Sequence, residues 1–425
     1  MPSEGYWGFI KDPIHGYIRI TDLERKIIDT RAVQRLRRIK QLGPGAEYVY
    51  PGANHTRFEH SLGCLYLAGV FAENLPVGLS RREIREIRIA ALLHDVGHGP
   101  FSHVFEPLFN RCTGKTHEDM TEWIIEKSEL AETLSSEGLE VETIKKLAVG
   151  RKKTKKAFLN QIIRSAVDVD KMDFLLRDSY HTGAEYGQID IFRLIYTMDV
   201  LDSNLAVDLT ALPTLEAFVI ARIGAFRAVY FHRTVRAYQI MLERALKTAN
   251  EEIGFADIRS EQEYLDLDDY SMWIKLKECG KSRDIIRDLE ARRLLKCSFE
   301  GCFFAKDPIA TSLLTNELIR QRLEEQIAES AGLSPEQVIM DVPSVPSVPY
   351  YHSLSTEPME IPVFYKTKDG ERIPKKLAEV SRIIEPLRVF MNIVRVYTDK
   401  ENREKVSESA KEVLSELPIS AEVSY

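Results

Sequence analysis

Cysteine is scarce and scattered in this chain of 425 residues: Cys64, Cys112, Cys279, Cys297 and Cys302 form no CxxC pair. Such a set argues against a disulfide framework and reads as reduced thiols of a cytoplasmic protein. No apolar run approaches the ~18 residues of a membrane span. The amino terminus, MPSEGYWGFIKDP, lacks a basic segment followed by an apolar one. Neither a transmembrane helix nor a signal peptide is expected, and no membrane partner. An excess of positive charge is missing too. The net charge of −7 disfavours bulk attraction to nucleic acid, although a local basic pocket stays compatible with it. The clearest basic run is GRKKTKK, residues 150–156. A solvated loop between helices is the favoured reading, a phosphate- or nucleic-acid-binding insertion the sharper one.

Hydrophobic content of 44% and charged content of 29% are ordinary for a globular protein. The start, GFIKDPIHGYIRI, alternates apolar and polar residues around Pro13-Ile14-His15-Gly16, which predicts a short β-hairpin. Helical periodicity then takes over. In DLERKIIDTRAVQRLRRIKQLG, Leu23, Ile27, Val33, Leu36 and Ile39 recur near three- and four-residue spacing, and Gly43 supplies a stop. Helical patterns dominate to about residue 335, and the long segment LEAFVIARIGAFRAVYFHRTVRAYQIMLERALKTANEEI is expected to hold more than one helix. The fold class is therefore mostly α, with a helical core over residues 1–335. Three closely spaced prolines in DVPSVPSVPYYHS predict a linker at 336–354. Beyond it, IPVFYK and VFMNIVRVYT read as strands, KKLAEVSRIIEPL and KENREKVSESAKEVLSEL as helices. Residues 355–425 are thus expected to form a small α+β appendage.

Histidine is also sparse, yet His55, His60, His94, His98, His103, His117 and His181 crowd between residues 55 and 181. That span also holds Asp95 and the acidic segment DVDKMDFLLRDSYH. Imidazole nitrogen and carboxylate oxygen are ligands for divalent transition metals, and a catalytic site keeps a position open for water. His94 and Asp95 are adjacent, so on a helix they diverge by about 100°. They reach one ion only at a helix end, which Gly97, Gly99 and Pro100 provide, or where partner helices crowd the metal between them. Other helices must complete the shell. RFEHSLGCLYLAG offers His60 beside small residues that permit close packing, and SAVDVDKMDFLLRDS offers Asp168, Asp170 and Asp173. Spacing leaves the choice between Asp170 and Asp173 open. A single buried histidine is more often a hydrogen-bonded core residue than a ligand, but the concentration of these groups points to a metal-dependent hydrolase.

The segments HTRFEHSLG, HDVGHGPFSH and DVDKMDFLLRDSYHTG resemble the HD-domain phosphohydrolase signature. The similarity is to deoxynucleoside triphosphate (dNTP) triphosphohydrolases of the sterile-alpha-motif-and-HD type, without the sterile-alpha-motif domain. DPIHGYI, IIDTRAVQRLRRIKQLG, FRAVYFHRTVRAYQ, VFYKTKDGERI and IVRVY extend it over nearly the whole chain. The resemblance implies an HD-domain helical core with its metal site at about 50–185, and His60, His94, Asp95 and Asp170 as ligands. Two histidines and two carboxylates suit Fe, Mn, Zn, Co or Ni, with Mg as a companion of the substrate phosphates.

The same resemblance implies His117 as general acid, with His103 and Glu106 beside it, and His98 as a phosphate contact. Arg57 and Lys171 would neutralise the triphosphate. Gln41 and Asp178 would hold the sugar 3′-hydroxyl, and Leu42 and Tyr238 would pack on base and sugar. Phe174 stands where the family has a substrate-contacting tyrosine, and Glu106 where it has an aspartate. Asp29, Gln34 and Arg37 match a regulatory guanine-nucleotide site in which Lys11 replaces an asparagine. The implied protein is a cytoplasmic homo-oligomer, a tetramer, hydrolysing dNTPs to deoxynucleoside and triphosphate. Other readings keep the site but change its use: another nucleotide, single-stranded nucleic acid, or a non-catalytic nucleotide sensor.

Overall fold

The computed structural model describes residues 5–305, 316–346, 362–384, 390–415 and 421–422. Strands Tyr6–Asp12 and Gly16–Thr21 form the antiparallel hairpin that the sequence predicts. Its turn is built by Asp12, whose carboxylate accepts from the backbone N–H of Ile14 at 2.9 Å and His15 at 2.8 Å. Gly16 takes the left-handed φ of 75° that closes it.

The helical pattern after residue 21 breaks into pieces: helices Asp22–Ile28 and Arg31–Arg35, then a 3₁₀ turn Leu36–Arg38. The break falls at Thr30, which is extended and donates its hydroxyl to Ile27 O at 2.7 Å. A threonine that bonds its own backbone competes with the helix ladder, a signal that apolar spacing does not register.

The principal helices are Arg57–Asn74, Arg81–Leu93, His117–Lys127, Val169–Thr182, Leu212–Ala225 and Arg233–Ile253. Their starts are specified locally. Ser80 accepts from Glu83 N–H while the Glu83 carboxylate accepts from Ser80 N–H, and Thr116 with Asp119 repeats the arrangement. Leu62, Leu65, Ile87, Leu92, Ile124, Leu147, Met172 and Leu246 share one continuous core. Burying each such side chain contributes roughly 1.5–3 kcal/mol.

Residues 209–230 are long and apolar enough, by length and composition, to cross a membrane. This run escapes the search for unbroken apolar stretches because Glu216, Arg222 and Arg227 interrupt it. Leu215, Phe218 and Val219 are buried in the protein core. The expected division of the long segment is observed: Leu212–Ala225 runs into a π-turn, Phe226–Tyr230, before Arg233–Ile253 begins.

Three features correct the expected layout. A hairpin, Met198–Leu201 with Asn204–Asp208, interrupts the helical region, turned by Asp202 and Ser203 at positive φ. Strand Lys296–Ala305 pairs with Phe390–Thr398, so the carboxyl-terminal sheet draws on residues before the expected boundary. The expected linker at 336–354 does not separate two bodies. Its segments Ile339–Asp341 and Ser344–Pro346 both pair with Phe390–Thr398, and 347–354 lie outside the described residues. Short strands at a sheet edge tolerate proline because its missing N–H faces away from the ladder. A second apolar core, including Phe299, Ile327, Met340, Val396 and Val406, lies under this sheet. The predicted strand at IPVFYK, observed as Pro362–Lys366, runs parallel to Asn204–Asp208 and ties the appendage to the helical body.

Candidate metal and catalytic site

The candidate metal ligands sit at helix ends. His60 lies in the first turn of Arg57–Asn74, Asp170 in the first turn of Val169–Thr182, and His94 immediately after Arg81–Leu93. A carboxylate in a first turn is favoured by the helix dipole. Two glycines permit the helices to meet. A Cβ at Gly63 would overlap the Asp173 carboxylate, and one at Gly97 would overlap His117 O and Thr121 N. The second contact brings the helix bearing His117 against the turn bearing His98, whose ring stacks on that of His117 at 4.2 Å.

The four candidate ligands converge. His60 Nε2 is 3.1 Å from Asp170 Oδ1 and 3.9 Å from Asp95 Oδ2. His94 Nε2 is 3.2 Å from Asp95 Oδ1 and 3.8 Å from Asp170 Oδ1. Atoms bound about 2.1 Å from one ion stand roughly 3.0–3.4 Å apart, so the set is close to a shell around a single cation.

Tautomers support the same fit. His94 Nδ1 donates to Ala91 O at 2.8 Å, leaving Nε2 buried without a hydrogen-bond partner among the described residues. His60 Nδ1 donates to Asp173 Oδ2 at 2.8 Å, which turns its Nε2 toward Asp170. A ligating histidine held by a carboxylate behind it is the usual support for a metal site. Burial opposes the ionisation of Asp95 and Asp170, but neighbouring cations and imidazoles hold both well below the usual carboxylate range. The residues present therefore fit a divalent cation.

The structure separates the three aspartates that spacing left together. Asp170 faces His60 and His94. Asp173 is fully buried and accepts from His60, His15 and, through two nitrogens, Arg177. Asp168 caps its helix and pairs with Lys171 Nζ at 2.8 Å.

Cys64 was not anticipated beside this cluster. Its Sγ is 3.6 Å from His60 Nε2 and 3.7 Å from Nδ1. With His60, His94 and Asp170 it forms a group whose ligand atoms all lie within 4.8 Å of one another, and near-equal distances to both nitrogens place the sulfur over the His60 ring face. Burial pushes the Cys64 thiol pKa up.

His117, Glu106 and His103 also come together. Glu106 Oε1 accepts from His117 Nδ1 at 2.5 Å and from its backbone N–H at 3.0 Å, while Oε2 is 3.6 Å from the exposed His103. Burial would raise the Glu106 carboxyl, but hydrogen bonds from both histidines hold it well below the carboxylate range. The remaining ring nitrogen of His117, Nε2, lies 3.8 Å from Glu118 Oε1 and makes no short hydrogen bond among the described residues. His98 Nε2 lies 3.5 Å from Asp95 Oδ1, and burial together with Arg57 and His117 keeps its imidazole neutral.

Arg57 donates to Ser102 Oγ at 2.8 Å and to the Asp95 carboxylate. Gln41 presents a buried Oε1 with no hydrogen-bond partner among the described residues. Leu42 is half-buried, and Tyr238 is buried against Tyr48 behind the neighbouring Gly45. Phe174 meets the ring of Tyr230 edge-on. Asp178 is already engaged through both oxygens, with His55 Nε2 at 2.6 Å and with the Tyr230 hydroxyl. The sequence places His55 in the histidine cluster but assigns neither it nor Tyr230 a role, because no local spacing links them to Asp178.

Lys11, Asp29, Gln34 and Arg37 line one cavity of about 400 Å³ with Trp7 and Phe58. The basic run is largely answered within the chain: Arg151 pairs with Glu118 and Asp119, Lys152 with Glu86, and Lys156 with Glu83. This agrees with the solvated-loop reading.

Residues 57–178 match the HD domain, and residues 189–423 match the HD associated region. The chain is an HD-domain protein. The human deoxynucleoside triphosphate triphosphohydrolase SAMHD1 is 30% identical to it, over 93% of this chain and 71% of its own. A hypothetical protein from Aquifex aeolicus has the same fold, with a TM-score of 0.76 at 30% identity over 94% of this chain and 99% of that one. A phosphohydrolase from Bacteroides thetaiotaomicron gives 0.71 at 27% identity, over 92% and 99%. This HD protein is thus homologous to dNTP triphosphohydrolases, and the homology supports a metal-dependent phosphohydrolase.

Proposed function

We propose that this HD protein hydrolyses dNTPs to deoxynucleoside and triphosphate, with His60, His94, Asp95 and Asp170 as metal ligands. The observation that carries the reading is the convergence of those four side chains beside the His117–Glu106 pair. The choice of dNTP follows the relative named above.

A bound divalent cation supplies Lewis acidity, activating water near neutral pH and withdrawing charge from a phosphoryl oxygen. The chain's own residues do the rest. Water adds to the α-phosphorus, the bond to the 5′-oxygen breaks, and His117 delivers a proton to that oxygen. Glu106 orients the His117 ring through its Nδ1. Arg57, Lys171 and neutral His98 bind phosphate oxygens, the first two after leaving Asp95 and Asp168. Gln41 and Asp178 contact the sugar, and Leu42 and Tyr238 pack on sugar and base.

The cavity lined by Lys11, Asp29, Gln34 and Arg37 is the place for a regulatory nucleotide. The exposed Trp7, Phe9 and Tyr17 on the adjoining hairpin favour assembly into a homo-oligomer. Phe174 favours a second reading in which another nucleotide is the substrate, since a tyrosine hydroxyl would be absent from the contact.

Incubating the purified protein with each dNTP and a divalent metal, with and without GTP, tests the proposal. Deoxynucleoside and tripolyphosphate are the expected products. Monophosphate and pyrophosphate would rule the reaction out.

A further inference from the structure

Helix Leu212–Ala225 is largely apolar and carries two charged side chains, Glu216 and Arg222. Arg222 is 9% exposed, yet its Nε and Nη1 are buried with no hydrogen-bond partner among the described residues. Other buried arginines of the fold are satisfied to a greater degree. Arg177 bonds Asp12 and Asp173, and Arg35 bonds the carbonyls of His98 and Leu267. Buried polar groups nearly always find partners, and an unpaired buried charge is strongly destabilising.

Arg222 reaches the candidate site through ring contacts: its guanidinium lies 5.4 Å from the Phe226 ring, which packs at 4.8 Å against Tyr230, whose hydroxyl bonds Asp178. The charged or titratable groups that act on Arg222 are Asp168, Tyr230 and Asp170. None of them bonds it. Asp168 is held by Lys171 and by the backbone N–H of Ser165 and Lys171. Tyr230 donates to Asp178, and Asp170 lies against His60 and His94. Burial lowers the guanidinium pKa to about 10 against the pull of those three groups, so the charge persists at neutral pH.

A guanidinium that meets a ring face but leaves two buried donors unbonded, beside a candidate phosphohydrolase centre, calls for an anion from outside the chain. We propose that Arg222 binds a phosphate oxygen of the nucleotide's polyphosphate chain. The inference rests on the nucleotide-phosphohydrolase reading above and adds a residue from a helix that reading does not use. A guanidinium suits the task because its planar N–H groups can bond two phosphate oxygens at once. Its apolar helix limits competing water, which strengthens such a bond.

The test compares Arg222→Met and Arg222→Lys with the parent in a His117→Ala background, where binding is measured without turnover. Calorimetric titration with dATP is set against titration with deoxyadenosine, which carries no phosphate. Arg222→Met should weaken dATP about ten- to a hundredfold, the loss of charge-assisted hydrogen bonds, and leave deoxyadenosine unchanged. Arg222→Lys should fall between. The ligand-free Arg222→Met protein should melt no lower than its parent, because an unpaired charge has been removed.

Equal dATP affinity in parent and Arg222→Met overturns the inference, as does equal weakening of deoxyadenosine or a lower melting temperature of that variant. Turnover by the wild-type protein decides the underlying reading separately. If dATP binding depends on Arg222 but no dNTP is hydrolysed, the reaction fails and the Arg222 contact stands. If dNTPs are hydrolysed and Arg222 is dispensable, the reverse holds. If the parent binds no dATP at all, the inference falls.

Discussion

His15 Nε2 lies 2.7 Å from Asp173 Oδ1, which joins the turn of the amino-terminal hairpin to the helix that carries Asp170. The other oxygen of Asp173 accepts from His60, and Arg177 bridges Asp173 to Asp12 in the same turn. One buried network thus runs from the hairpin to a candidate metal ligand. Residues of that hairpin also line the cavity holding Asp29, Gln34 and Arg37.

Asp173→Asn should lower metal affinity about 10–100-fold, the usual effect of losing the carboxylate behind a ligating histidine. It should also destabilise the fold by about 3–5 kcal/mol, because Arg177 loses its main partner. Metal content per folded molecule, with thermal unfolding alongside, reads both effects. Unchanged metal affinity would remove Asp173 from the site.

His117→Ala should reduce turnover about 10²–10⁴-fold, the range for removing a general acid or base. Metal content should stay at the wild-type level, since His117 is not among the candidate ligands. Glu106→Gln should have a smaller effect in the same direction, because it keeps the ring oriented and loses only the charge. Steady-state kinetics and metal analysis on the two variants test the division of roles.

Stability should carry a pH signature from Asp269, whose carboxylate accepts from Lys40 N–H at 2.9 Å and Phe101 N–H at 2.7 Å. Burial raises its pKa from 3.8 to about 6, outweighing those two bonds. A carboxyl raised in the folded state contributes stability that is complete below the unfolded value and is lost as pH rises through the folded one. The contribution should therefore decline between about pH 4 and 6, by roughly 3 kcal/mol for a shift of about two units. Denaturant unfolding across that range should show a decline in the wild-type protein that Asp269→Asn lacks. Parallel curves would refute the assignment.

Gly97→Ala should depress turnover while leaving helix content intact. The added Cβ pushes away the backbone of His117 and Thr121, and with it the ring stacked on His98. A displacement near 1 Å at a catalytic group can cost about 10²-fold. Circular dichroism and kcat distinguish misplacement from unfolding, and unchanged kcat would show that the close approach is dispensable.

The sequence by itself determined the helical class, the amino-terminal hairpin and the pool of histidines and aspartates from which the candidate site is drawn. Apolar periodicity, Pro-Ile-His-Gly and the clustered histidines are local signals, and local signals survive in a linear string. It misjudged the carboxyl-terminal boundary, because a strand at 296–305 is paid for by pairing with residues 390–398. Nothing near either segment announces the other. Only the tertiary structure decided that Asp170 faces His60 and His94 while Asp173 turns back to His15 and Arg177. The two lie on one helix, and which face meets which neighbour depends on helices packed from elsewhere in the chain. Arg222 is the same case: its sequence context reads as a largely apolar helix, and its two unbonded donors are evident only where that helix meets the site.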